Sequence, residues 1–78
     1  MTARSQEIVI EIAGMRSAAD VEIVSASLRG VAGVSDALAS LTESVATVTA
    51  DPTVATPAVL RAAVAAAGFT PGEVRFPE

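Results

Sequence analysis

The fold is determined by residues 7–30, EIVIEIAGMRSAADVEIVSASLRG. The apolar residues of this stretch are spaced as in a strand in the first part and as in a helix in the second. The isoleucines of the first six residues alternate with other residues and share one face, which predicts a half-buried strand. A loop with Gly14 follows, where glycine permits unusual backbone angles. Apolar residues then recur every three or four positions, which predicts a helix over residues 17–29. Its stripe consists of Val21, Val24, Leu28 and Val31.

The remainder of the chain repeats these two patterns. Two alternating runs, residues 34–41 and 45–50, are separated by three polar residues, which predicts a β-hairpin. A second helix is expected to begin at Pro57, after Thr56 as its N-cap, and to end near residue 67. Residues 73–76 predict a short last strand. Both phenylalanines, Phe69 and Phe76, are expected in the core.

The predicted order is β-α-β-β-α-β, which is the order of the ferredoxin-like α+β sandwich. Two helices would cover one face of a four-stranded antiparallel sheet whose first and third strands are central. We expect one domain over residues 1–78, with residues 1–6 and 77–78 frayed.

The other face of the sheet is predicted to be open. It would display Val9, Leu38 and Val45 as a candidate interaction surface, beside the more polar Glu11, Thr47 and Thr49. The unpaired backbone of an edge strand offers a partner a second route, by strand addition.

Composition narrows the function classes. The chain has 78 residues, a net charge of -4, five scattered basic residues, and neither Cys nor His. The usual thiolate and imidazole ligands and the commonest general base are therefore absent, so no enzyme is expected. Without clustered positive charge, no nucleic-acid binding is expected. No apolar run approaches the roughly 20 residues that cross a bilayer, so we expect no membrane insertion and a cytoplasmic location.

Short motifs lie in register along the chain. They are GM at Gly14-Met15, GV at Gly33-Val34, a strand followed by DP at residues 45–52, Leu60, Ala63-Val64, and AGF at residues 67–69. Together they resemble the heavy-metal-associated (HMA) domain family of copper chaperones and of the N-terminal modules of metal-transporting P-type ATPases. The resemblance covers residues 8–74. It implies the metallochaperone-like ferredoxin fold and a protein partner, either another domain or a transporter.

The resemblance also implies a metal loop, Gly-Met-x-Cys-x-x-Cys, whose two thiolates hold a soft ion such as Cu(I). Ser17 and Asp20 occupy the two cysteine positions here, and Met15 is implied to point inward and support the loop. Oxygen donors do not favour Cu(I). No metal and no other cofactor is therefore expected at this degenerate site. Cu(I) or another heavy metal would bind only if the family function survives.

The same residues have a purely structural interpretation, because Ser-x-x-Asp is a variant of the helix capping box. The Ser17 hydroxyl would accept a hydrogen bond from the Asp20 amide. The Asp20 carboxylate would accept one from the Ser17 amide and would lie near the positive end of the helix dipole.

Three functions stay open. The first is an HMA-like docking or regulatory domain that binds no metal, is a monomer or weak dimer, and acts through a protein partner. The second is a component of heavy-metal binding or transport with a divergent or engineered Ser/Asp site. The third is an ACT-like small-molecule sensor, since that fold has the same element order. The GM and AGF motifs favour the HMA resemblance over the ACT alternative.

Overall fold

The computed structural model describes residues 5–76 and confirms the predicted order of strands and helices. Four antiparallel strands form one sheet in the order β2-β3-β1-β4, so that β1 and β3 are central as expected. The two helices cover one face, which gives the ferredoxin-like α+β sandwich. The elements are β1 (Gln6–Ala13), α1 (Ala18–Arg29), β2 (Val34–Ser40), β3 (Val45–Ala50), α2 (Pro57–Ala66) and β4 (Thr70–Arg75).

The core lies between the sheet and the helices and is built mostly from small aliphatic side chains. Alternate residues of the three strands β1, β2 and β3 enter it, together with the apolar stripes of both helices, as their periods predict. Phe69 packs against this core from just before β4. The largest fully buried side chains are Ile8, Ile10, Ile12, Val24, Leu28, Val48, Leu60 and Val64.

The ends of the chain differ from the prediction. Gln6 was expected to be frayed, but it is the first residue of β1 and pairs with Ala50. The other residues expected to be frayed, apart from Ser5, lie outside the described part of the chain. The last strand begins at Thr70 rather than at residue 73, because an edge strand tolerates a proline such as Pro71. Phe76 follows the strand with 43% of its surface exposed, so its predicted place in the core is wrong.

Neither helix of the described chain combines the length and apolar composition that spanning a bilayer requires.

Candidate functional site

The loop between β1 and α1 is anchored on the core by two neighbouring residues, Gly14 and Met15. Gly14 has a φ of +105°, in the region that glycine adopts without strain. A Cβ on Gly14 would lie 3.6 Å from the ring of Phe69, so the backbone lies close to that ring. Met15 is half-buried and packs against the core. Both residues therefore hold the loop in position.

Ser17 occupies the N-cap position of α1, as predicted, but its hydroxyl makes no capping hydrogen bond. Its backbone carbonyl instead accepts hydrogen bonds from the amides of Asp20, at 3.1 Å, and Val21, at 3.2 Å. The Asp20 amide, which was expected to donate to the hydroxyl, is thus already bonded. The predicted hydroxyl cap is wrong, and the exposed Ser17 side chain faces solvent.

Asp20 closes the first turn of the helix in a different way from the predicted capping box. Its carboxylate accepts a hydrogen bond of 2.9 Å from the backbone amide of Arg16, one residue earlier than expected. The half-buried carboxylate also lies in the first turn of α1, where the helix dipole stabilises a negative charge. Asp20 therefore has a structural role in joining the loop to the helix.

Because Asp20 makes a side-chain hydrogen bond and Ser17 makes none, alanine substitutions at the two positions should differ in their effect on stability. Asp20→Ala removes the hydrogen bond to Arg16 and should lower the free energy of unfolding by about 1 kcal/mol. Ser17→Ala removes a hydroxyl without a capping partner and should change it by less than about 0.5 kcal/mol. Urea denaturation of the two variants beside the unchanged chain measures both values. An equal loss of unfolding free energy in both variants would instead support the reciprocal capping box.

The donors in this loop do not fit a soft ion. A hydroxyl and a carboxylate are hard ligands, whereas Cu(I) selects thiolates and thioethers. The carboxylate is also held by the Arg16 amide. A hard ion such as Ca²⁺ needs roughly six to eight oxygens. Within residues 5–76, no group of three or more His, Cys, Asp or Glu side chains is placed to hold a metal.

Sequence reasoning missed a cleft of about 410 Å³ on the open side of the sheet. It lies where the end of β1 meets the beginnings of β3 and β4, so segments that are distant in the sequence form its walls. Its charged lining residues are Glu11, Glu43 and Arg75, and the last of these forms an ion pair of 3.2 Å with the Glu11 carboxylate. Val45, a predicted surface residue, also lines it.

The role of Ser25 was not predicted either. It is only 4% exposed, and its hydroxyl accepts a hydrogen bond of 3.1 Å from the backbone amide of Ala39 in the edge strand β2. The sequence did indicate that Ser25 is buried, because it lies between Val24 and Leu28 in the apolar stripe of α1. A buried hydroxyl at such a position requires a partner.

The model of the heavy-metal-associated domain family matches residues 9–70. The matched family is the HMA domain, so the ACT-like alternative is set aside. No curated relative matches the chain.

Three solved structures illustrate the likeness. A copper-binding domain from HMA7, a P-type ATPase, is 27% identical with a TM-score of 0.81, over 94% of this chain and 95% of that one. Oxidized MerP from Ralstonia metallidurans CH34 is 26% identical with a TM-score of 0.81, over 87% and 94%. A putative copper-ion-binding protein from Bacillus anthracis str. Ames, 21% identical with a TM-score of 0.83 over 91% and 100%, supports the fold alone. The family match covers most of the chain, which therefore belongs to the heavy-metal-associated domain family.

Proposed function

We propose that this chain is an HMA domain that binds no soft metal ion and acts by docking to another protein or domain. The observation that carries this proposal is the hydrogen bond between the Arg16 amide and the Asp20 carboxylate. It gives a structural role to one of the two side chains that replace the family's thiolates. The other, Ser17, offers a single exposed hydroxyl.

The retained framework supports a binding module rather than an enzyme. Gly14, Met15 and Phe69 still hold the loop in place, although the metal-binding thiols are absent. A domain that keeps its fold without its metal ligands can still present its surface to a partner. The partner class follows from the family resemblance and is either another domain or a transporter. The cytoplasmic location, the single domain over residues 1–78 and the monomeric or weakly dimeric state stay predictions.

The proposal predicts that the unchanged chain does not compete for Cu(I). In a titration under reducing conditions, a chromophoric Cu(I) chelator should keep its full colour as the protein is added. The physical reason is the donor set, since neither a hydroxyl nor a carboxylate matches thiolate affinity for this ion. Withdrawal of one equivalent of Cu(I) with a Kd below about 1 µM would contradict the proposal.

The second candidate is a component of copper binding or transport with a divergent Ser/Asp site. It is favoured by the family membership and by the copper-binding domain of the P-type ATPase that the chain resembles. The same titration separates the two candidates, because this one requires binding by the unchanged chain.

A further inference from the structure

The open face of the sheet carries a contiguous patch formed by Val9, Leu38, Val45 and Thr47, named here the open-face patch. Thr47 lies opposite Leu38 on one side and opposite Val9 on the other. Val45 is two residues before Thr47 on the same strand and shares its face. Leu38 is 65% exposed, and the other three are half-buried. The patch therefore has a prominent aliphatic side chain at one side of a flatter apolar surface.

Acidic side chains surround this patch. On β1, Glu7 lies opposite Thr49, beyond one end of the patch, and Glu11 lies opposite Val45, beside its other end. Asp36 lies at the β2 edge, and Glu43 is exposed in the turn before β3. Arg75 is the one cation within the four described strands.

This cation does not offset the acidic surroundings. The Arg75 side chain forms its ion pair with Glu11, and the Arg29 guanidinium of α1 lies 4.0 Å from the Asp36 carboxylate. Glu7 and Glu43 are therefore the carboxylates that set the charge around the patch. The surface is thus apolar in its centre and negative around it.

The edge of β2 does not offer the alternative route of strand addition. Two of its backbone amides are already bonded to side chains: Ala37 to the Asp36 carboxylate at 2.9 Å, and Ala39 to the Ser25 hydroxyl at 3.1 Å. Strand addition requires such groups to be free. At the other edge, Pro71 in β4 has no amide hydrogen to donate. Docking is therefore favoured on the face of the sheet.

A second copy of the chain does not suit this face. In a two-fold dimer each patch would meet its own image, and the surrounding carboxylates would oppose like charges. A partner of opposite charge gains from the same carboxylates. The cleft beside Val45 is also large enough to admit a cationic side chain, and its lining offers the Glu43 carboxylate beside the paired Glu11 and Arg75.

We infer that the open-face patch binds a basic protein segment in which aliphatic side chains alternate with Lys or Arg. This inference rests on the proposed docking function and names the surface and the class of partner. The aliphatic side chains would cover Val9 and Leu38, and a cationic side chain would enter the cleft beside Glu43, since Arg75 already pairs with Glu11.

The test selects peptides from a random-sequence display library on the immobilised full chain. The enriched peptides are synthesised and titrated against the unchanged chain and four variants. Leu38→Ser and Glu7→Lys alter the patch and its surroundings. Ile23→Ser and Glu22→Lys are the matched controls, because both residues are exposed on α1 on the other side of the sheet. Sedimentation of the unchanged chain alone reports any self-association.

The inference predicts enriched peptides in which Lys or Arg flank aliphatic residues. Their affinity should fall by about tenfold or more in the two patch variants and by less than about twofold in the controls. Added salt should weaken it, because exposed charges are screened. Neutral or acidic peptides, no enrichment, equal losses in the controls, or a dimer abolished by Leu38→Ser would each overturn the inference. None of these results affects the copper titration, so the proposed absence of metal binding fails or stands separately.

Discussion

Replacing Ser17 and Asp20 by cysteine raises the affinity of the chain for Cu(I) by about a thousand-fold or more, which corresponds to about 4 kcal/mol. The two positions are three residues apart at the start of α1, so their side chains lie on neighbouring parts of the helix surface. The positive end of the helix dipole favours thiolates there. The loop before them is already anchored by Met15 and by the contact of Gly14 with Phe69. Competition with a chromophoric chelator measures the affinity.

The matched control for this variant places two cysteines at the same spacing elsewhere. Ala62→Cys/Ala65→Cys puts both thiols on exposed positions of α2, away from a helix N-terminus and from the anchored loop. We expect it to bind Cu(I) much more weakly than the Ser17→Cys/Asp20→Cys variant. Equal affinity of the two would show that the loop provides no cradle for a metal.

The largest expected loss of stability comes from Gly33→Ala, at about 3 kcal/mol. Gly33 has a φ of +90°, which strains any residue with a Cβ. That Cβ would also lie 2.8 Å from the Cβ of Val54. Val54 cannot move away easily, because the next residue, Ala55, is fully buried and its amide donates a 2.8 Å hydrogen bond to the Asp51 carbonyl. Thermal denaturation should show a Tm lowered by more than about 10 °C.

Gly68→Ala separates the cost of the positive φ from the cost of the contact with Val54. Gly68 has a similar φ of +97°, but a Cβ there would meet no atom within 4 Å. We expect the free energy of unfolding of this variant to fall by about 1–2 kcal/mol, from the strained backbone alone. If the two variants lost the same stability, the contact between Gly33 and Val54 would carry no cost and the turn before β2 would be more adaptable than described.

The element order could be predicted because the apolar residues of each element follow one regular spacing. The isoleucines of β1 and the stripes of α1 and α2 each lie on one side, and the core contains them as expected. The start of β4 could not be predicted in the same way. Pro71 and Gly72 are typical of turns, yet they fit at the edge of the sheet beside a register shift in the pairing of β1 with β4. Local residue preference was overruled there by pairing with a neighbouring strand.

The loop was predictable in position but not in its hydrogen bonds. The spacing of Ser17 and Asp20 fits a capping box, and the N-cap position is confirmed. Which amide each oxygen accepts from depends on backbone angles that the sequence pattern does not contain. The bond between Ser25 and Ala39 joins a helix to an edge strand fourteen residues away, so only the assembled fold reveals it. The cleft is hidden from the sequence for the same reason.

The central claim is that Asp20 serves the helix rather than a metal ion, and the amide resonance of Arg16 tests it most directly. Ligation of Cu(I) by Asp20 would change the charge and the position of the carboxylate that accepts the Arg16 hydrogen bond at 2.9 Å, and so would change the Arg16 amide resonance. Amide NMR spectra of the unchanged chain are recorded while reduced copper is added up to one equivalent. The account predicts that the Arg16 resonance and its neighbours in the loop do not move. A shift of the Arg16 resonance that saturates at one equivalent would contradict it.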